Sequence, residues 1–241
     1  MSLLEIKDVS RRFGGVVVVD RFSFDLAPAE ALGIVGPNGA GKTTLLNLIA
    51  GDLPVESGTI TFEGNDITSI PAHRRCRLGI GRTSQVPRPF ERMTVFENVL
   101  VGATYGRGDT ASPDEAAVES LRRIGMLPLA NHQAGSLTLL QRKRLELGRA
   151  LATGPRLLLL DEVAGGLTEA EVLELVDLIV EIRATGVAVV WIEHIVHALL
   201  RVVDRMIAIN FGVKVAEGDP QEVMASDAVR AVYLGQDVAT T

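Results

Sequence analysis

Apolar and polar positions along the chain follow two rhythms. Residues 3–9 alternate apolar and charged side chains, as a strand with one face on a core and one in water does. Residues 16–19 and 22–26 read as further β segments, and GTITFE at 58–63 as another between turn-forming glycines. Three runs differ: residues 31–35, 157–160 and 187–192 are continuously apolar, the pattern of strands buried on both faces of a parallel sheet. Each ends in glycine or polar residues: Gly36, Asp161-Glu162 and Glu193-His194. Ligands of open parallel sheets bind beyond the carboxyl ends of the strands, so these ends point to one shared site.

A helical rhythm fills the stretch between the first two runs. It predicts helices over 93–101 and 112–124, the latter with Ser112 as N-cap and Pro113 at the first helical position. A third helix is expected over 141–153, with Leu145, Leu147 and Leu151 as apolar positions, and a fourth over 172–184. Strands at 206–210 and 213–216 follow, then short helical pieces at 221–225 and 228–234. No internal repeat, low-complexity segment or Pro/Ser-rich linker divides the chain. The layout is an α/β core with an inserted helical segment and a β-rich N-terminal part.

Composition narrows the class. A length of 241 residues allows one large domain or two small ones and a sizeable core. Hydrophobic residues at 47% and charged residues at 22% exclude a disordered chain. The balance of 24 basic against 30 acidic residues, a net charge of −6, argues against a protein that coats nucleic acid. One cysteine, Cys76, excludes an internal disulfide and a four-cysteine zinc site. Charges inside the first apolar stretch argue against a signal peptide. Mean hydropathy is high at +0.26, yet no apolar run approaches the roughly 20 residues that span a bilayer. The expectation is an oily cytosolic protein that does not cross a membrane.

Residues 36–43, Gly-Pro-Asn-Gly-Ala-Gly-Lys-Thr, fit G-x-x-x-x-G-K-[ST] between an apolar run and the helix-compatible 44–50. Gly36, Gly39 and Gly41 let the backbone turn and bring N–H groups against phosphate oxygens, beside the positive end of a helix dipole. Lys42 supplies a point charge for the outer phosphates, and the Thr43 hydroxyl can ligate Mg²⁺. The acids after 157–160 fit a Walker B reading. Asp161 is then a water-mediated Mg²⁺ partner and Glu162 the base that polarises the attacking water. The second acid suits a hydrolase of ATP, and no N-K-x-D guanine-reading element occurs.

Taken together these motifs resemble the ATP-binding subunits of ABC transporters over nearly the whole chain. The resemblance implies a P-loop NTPase (RecA-like) core with an N-terminal antiparallel β subdomain and an inserted helical subdomain. It implies one ABC-type domain over 1–241, with 86–150 as the helical insert carrying the signature segment. It makes Gln85 the Q-loop residue that senses Mg²⁺ and couples to a membrane subunit, His194 the switch histidine on the γ-phosphate, and Phe13 the aromatic that stacks on adenine. Catalysis then falls to Glu162, His194 and Lys42. Nucleotide contacts fall to Phe13, Gly36, Pro37, Asn38, Gly39, Ala40, Gly41, Lys42, Thr43, Thr44, Gln85, Thr138 and Gln141, and metal contacts to Thr43, Gln85 and Asp161. Gly166, Leu167 and Thr168 take the D-loop position.

The phrases RRFGGVVVVD, GNDITSIPAHRR, GIGRTSQ, MTVFENVLVGA and AVYLG are similar to the ATPases of branched-chain amino-acid importers. That resemblance implies integral-membrane permease subunits, a second ATPase subunit (identical or paralogous) and a substrate-binding protein as partners, without nucleic acid. It places the chain at the cytoplasmic face of the membrane as a peripheral ATPase with ATP and Mg²⁺ as cofactors. The alternatives are a catalytically weak nucleotide-binding subunit of a heteromeric complex, or an ABC ATPase outside transport.

The family's L-S-G-G-Q signature matches Leu137-Thr138-Leu139-Leu140-Gln141, so both glycines are leucines here. Either the backbone at 139 and 140 keeps negative φ and the site stays competent, or the working half-site lies with a different subunit. Val163 stands where the family usually has Pro, with little expected effect. Arg74, Arg75, Arg77, Arg82 and Arg88 bracket the Q-loop approach, as a solvated basic face or as a dock for a permease loop.

Overall fold

The computed structural model describes residues 2–108 and 112–234. In chain order the elements are β1 (Leu4–Phe13), β2 (Val16–Leu26), β3 (Ala31–Val35), α1 (Lys42–Ala50), β4 (Ser57–Phe62), β5 (Asn65–Asp66), α2 (Ala72–Leu78) and β6 (Ile80–Arg82). Then come α3 (Val95–Tyr105), α4 (Pro113–Arg123), two 3-10 turns, α5 (Leu139–Ala152), β7 (Leu157–Asp161) and α6 (Glu169–Ala184). The chain continues with β8 (Ala188–Ile192), α7 (Val196–Leu200), β9 (Arg205–Asn210), β10 (Val213–Gly218), α8 (Pro220–Ala225) and α9 (Asp227–Leu234). Two compact units result, one from residues before 72 and after 189, the other from 72–189. Gly235, last of the AVYLG phrase, lies outside the described residues.

The first unit holds an antiparallel sheet in the order β2-β1-β4-β5. The turn Gly14-Gly15 joins β1 to β2 with Phe13 opposite Val16, and Gly14 takes the left-handed φ of 58° that such a turn requires. Leu4, Ile6, Val19, Phe22 and Leu26 fill the buried face. Residues 16–26 form one strand where the sequence pattern suggested two segments. Arg21 at φ 44° breaks the alternation without ending the strand. The same unit carries strands in the order β10-β9-β3 and, from Val190 on, β8, with β9 antiparallel to β10 and parallel to β3. All five residues of β3 and of β8 are buried, as continuous apolar runs should be.

In the second unit β6 lies parallel to β7, in the register Ile80–Leu157, Gly81–Leu158 and Arg82–Leu159. Helices α3, α4 and α5 pack together around Val99, Leu121, Leu145 and Leu147. Gly148 permits the close approach of α5 to the end of α4, since a Cβ there would meet Ile124 Cδ1 at 2.4 Å. Ser120 Oγ donates to the Gly148 carbonyl at 2.7 Å across the same contact. Helix α5 starts two residues before the expected 141, and α6 three before the expected 172, because each has a Thr capping box. Elements α2, β6 and α7 were not expected. They are seven, three and five residues long, too short to declare a period. Among the described residues, no helix is long and apolar enough to cross a membrane.

Candidate functional site

Strand β3 delivers Gly36 from a fully buried run into the loop that precedes α1. Gly36, Gly39 and Gly41 have φ of 155°, 81° and 102°, a region that side-chain-bearing residues avoid. Packing fixes two of them as well. A Cβ on Gly36 would stand 2.2 Å from the Ile209 carbonyl oxygen, and one on Gly41 2.3 Å from that of Val18. Gly39 has open space instead, with nothing within 4 Å. The loop is braced from outside: the Gly212 N–H donates to the Ala40 carbonyl at 2.9 Å, and the Asp20 N–H to the Gly212 carbonyl at 3.0 Å.

Lys42 opens α1 and is buried, its ammonium donating to the carbonyls of Gly36 at 2.7 Å and Pro37 at 2.9 Å. A buried ammonium needs such acceptors. Phosphate oxygens are stronger ones, because the hydrogen bond then joins two opposite charges. Thr43 and Thr44 fall in the first turn of α1, where backbone N–H groups have no intrahelical acceptor. Pro37 and Asn38 form the outer part of the loop, and Asn38 is exposed.

Two further predicted residues belong to the same unit. Phe13 ends β1 and is 46% exposed, and the Arg11 guanidinium carbon lies 5.1 Å from its ring centroid. An exposed ring at a hairpin turn is free to stack on a planar base. His194 follows β8, the strand beside β3, and its side chain is exposed. Its backbone N–H donates to the buried Glu193 carboxylate at 2.9 Å. Gly36 and His194 thus follow two neighbouring strands, β3 and β8, of one sheet.

In the second unit β7 ends on Asp161, which is only 1% exposed, and the chain turns at once. Glu162 has φ 48°, uncommon for a residue with a Cβ and a form of local strain that clusters at functional sites. Its carbonyl accepts from the Gly165 N–H at 3.2 Å and from the buried Lys143 ammonium at 3.4 Å, which hold the turn. Its carboxylate accepts from the Gln85 side-chain amide at 2.5 Å. Asp161 pairs with the Arg82 guanidinium at 3.4 Å. One short strand, β6, and the residues just after it thus reach both acids.

The signature segment lies at the start of α5. Thr138 is the N-cap: its hydroxyl accepts from the Gln141 N–H at 3.3 Å, and the Gln141 side chain accepts from the Thr138 N–H at 3.0 Å. Leu139 and Leu140 are the first two helical residues, and neither has positive φ. The first of the two readings of this segment therefore describes the backbone found here. Leu139 is 43% exposed, and its Cδ2 would sit 3.3 Å from a Cβ on Gly166.

Four residues escaped the sequence reading. Arg82 stood in a basic cluster with no indication that it pairs with Asp161. Lys143 gives no sign in the sequence that it reaches the Glu162 carbonyl. Gly212 had only its place in a Phe-Gly turn as a signal. Tyr233 hydrogen-bonds the Gly36 backbone, and burial pushes its hydroxyl up from the ordinary tyrosine range. The arginine cluster is also no single face: Arg75 is fully buried and Arg82 turns inward, while Arg74, Arg77 and Arg88 are exposed.

The residues present fit a nucleotide and a hard divalent cation. Three glycines line a loop that a Cβ would obstruct or strain, beside the Lys42 ammonium and the Thr43 hydroxyl; the second unit, taken by itself, offers the buried carboxylate of Asp161. Among the described residues there is no cluster of three His, Cys, Asp or Glu. Oxygen donors in small number suit Mg²⁺, which keeps several waters and binds through substrate phosphates.

A buried strand, a glycine loop of this geometry and a helix opened by Lys-Thr make a P-loop NTPase. The chain matches the ABC transporter family over residues 19–165, and the branched-chain amino acid ATP-binding cassette transporter family over 213–239. It is 36% identical to the high-affinity branched-chain amino acid transport ATP-binding protein LivG of Salmonella typhimurium, covering 97% of this chain and 98% of that protein. It is 33% identical to the lipopolysaccharide export system ATP-binding protein LptB of Escherichia coli, covering 98% and 99%. An ATP-binding cassette of an ABC transporter, solved in its ADP conformation, superposes with a TM-score of 0.89 at 29% identity, covering 98% and 99%. The chain belongs to the ABC transporter ATP-binding family, whose members are nucleotide-binding ATPases.

Proposed function

We propose that this chain is the ATP-hydrolysing subunit of an importer for branched-chain or related amino acids. The observation that supports the substrate class is the full-length similarity to LivG, joined by the family match over 213–239. The full-length similarity to LptB is the counterweight, because that protein serves an exporter. In this reading residues 1–241 form one ABC-type domain, with 86–150 as its helical subdomain. It works at the cytoplasmic face of the membrane with permease subunits, a second ATPase subunit and, through the complex, a substrate-binding protein.

Each residue then has a task. The amides of 36–43 hold the β- and γ-phosphates, and Lys42 exchanges its two carbonyl acceptors for phosphate oxygens. Phe13 stacks on adenine. Thr43, Gln85 and Asp161 hold Mg²⁺ directly or through water, and the cation, when bound, offsets the charge that develops on the phosphates. Glu162 accepts the proton of the attacking water, and His194 contacts the γ-phosphate side of the nucleotide. Thr138 and Gln141 shape the first turn of α5, whose amides face the nucleotide of the second ATPase subunit.

Affinity purification from native membranes, with mass spectrometry of the bound subunits, tests this reading. Recovery of a two-subunit amino-acid permease supports it. Recovery of lipopolysaccharide export components instead overturns the substrate class. The lesser reading, a catalytically weak subunit in a heteromeric complex, draws on the bulk of Leu139 beside Gly166. Robust Mg-ATP turnover by the purified chain alone removes it.

A further inference from the structure

We propose that Arg82 is a positioning residue that holds the Asp161 carboxylate in the metal-free chain and sets how tightly that carboxylate takes a divalent cation. This rests on the reading of Asp161 as a Mg²⁺ partner.

The pair is built into the strand geometry. Parallel pairing sets Arg82 opposite Leu159, two residues before Asp161. The Thr83 N–H donates to the Leu159 carbonyl at 3.0 Å, fixing the end of β6 just past Arg82. Before Arg82, Gly81 is buried where a Cβ would stand 3.0 Å from Pro155 Cβ and 3.2 Å from the Ala150 carbonyl oxygen. The backbone that carries Arg82 is thereby held on both sides. From it the guanidinium reaches the carboxylate at 3.4 Å, with side-chain exposures of 22% for Arg82 and 1% for Asp161.

Burial makes the contact matter. A carboxylate this far from water is costly when charged unless cations or donors face it. Arginine supplies a charge that does not titrate away and a planar fork suited to carboxylates. It holds the Asp161 carboxylate in one orientation before any metal arrives. A divalent cation approaching the same carboxylate meets a fixed positive charge, and the two cations repel across a site screened only weakly. The cation is therefore held less tightly than Asp161 would otherwise hold it, and stable uptake depends on the extra anionic ligands of nucleotide phosphates. Three residues on, Gln85 reaches Glu162, so residues 82–85 hold both acids of the β7 end.

The test reads metal affinity rather than turnover. The full chain is loaded with ADP and titrated with Mn²⁺, free Mn²⁺ being followed by electron paramagnetic resonance. Arg82→Gln removes the charge while keeping an amide donor, and Arg82→Lys keeps the charge. The expected result is Mn²⁺ binding tightened at least about threefold in Arg82→Gln and changed by less than about twofold in Arg82→Lys. Unchanged or weaker binding in folded Arg82→Gln overturns the proposal. If Arg82→Gln does not fold, the wild-type chain decides through its arginine side-chain ¹⁵N resonances. The Arg82 signal is expected to move when Mg²⁺ joins ADP and to stay when ADP is added in chelator; a signal that ignores Mg²⁺ overturns the proposal. Wild-type chain that binds ADP but no Mn²⁺ removes the reading of Asp161 itself, a different failure from an unaltered Arg82→Gln.

Discussion

The side-chain amide of Gln85 donates to the carboxylate of Glu162 at 2.5 Å, tying a residue three positions past β6 to the acid that follows β7. A carboxylate held this way is oriented, and one lone pair is already engaged. Gln85→Ala should slow ATP hydrolysis by roughly 10- to 100-fold through loss of that orientation. Nucleotide affinity measured without divalent cation should change little, since the phosphate loop is untouched. Parallel measurement of turnover and of ATP binding checks this. Equal losses in both would place Gln85 in binding rather than in orientation.

The phosphate-loop glycines should separate by cause. Gly36→Ala and Gly41→Ala drive a Cβ to within 2.2 and 2.3 Å of backbone carbonyl oxygens, so each should cost more than about 2 kcal/mol of stability. Gly39→Ala meets no neighbour within 4 Å and bears only its φ of 81°, a strain of about 1–2 kcal/mol. Its larger effect should fall on nucleotide affinity, because the new methyl points into the open space of the loop. Denaturant unfolding beside nucleotide titration distinguishes the two behaviours.

At the signature, Thr138→Ala removes the capping box of α5 and should cost about 1 kcal/mol. Restoring the family glycines with Leu139→Gly and Leu140→Gly should lower stability by up to about 1 kcal/mol each. It should not raise turnover, because negative φ is already in place at both positions. A large gain in hydrolysis by the double variant would show that leucine bulk, not backbone conformation, limits this segment.

Phe13→Ala tests the base-stacking role. Phe13 is 46% exposed, so removal of its ring should barely move the unfolding midpoint. ATP affinity should fall by about 1–2 kcal/mol, the usual worth of a base on an aromatic ring. Triphosphate lacking a base should bind wild type and variant alike.

Much of this architecture was legible in the residues. Continuous apolar runs such as Ala31–Val35 have one stable environment, a strand covered on both faces, and they occupy it. The phosphate loop was legible for the same reason that it is restrictive, since few residue types survive its φ values and close contacts. Boundaries set by capping were less so: Thr138 and Thr168 extend α5 and α6 beyond where the apolar period begins. Strand β6 was invisible because Ile-Gly-Arg has no alternation to display; pairing with β7 makes it a strand. A charge in a sequence does not name its partner, so Arg82 read as part of a basic cluster while the fold turns it onto Asp161. The left-handed backbone of Glu162 was equally hidden, because no residue type there asks for it.

The proposed hydrolysis of ATP rests on Glu162 as its base. Its most direct test is Mg-ATP hydrolysis by the purified chain beside its Glu162→Gln variant, with ATP binding measured in both. The prediction is measurable turnover in the wild-type chain, a loss of at least about 100-fold in the variant, and ATP binding preserved. Wild-type rates in the variant would contradict the assignment.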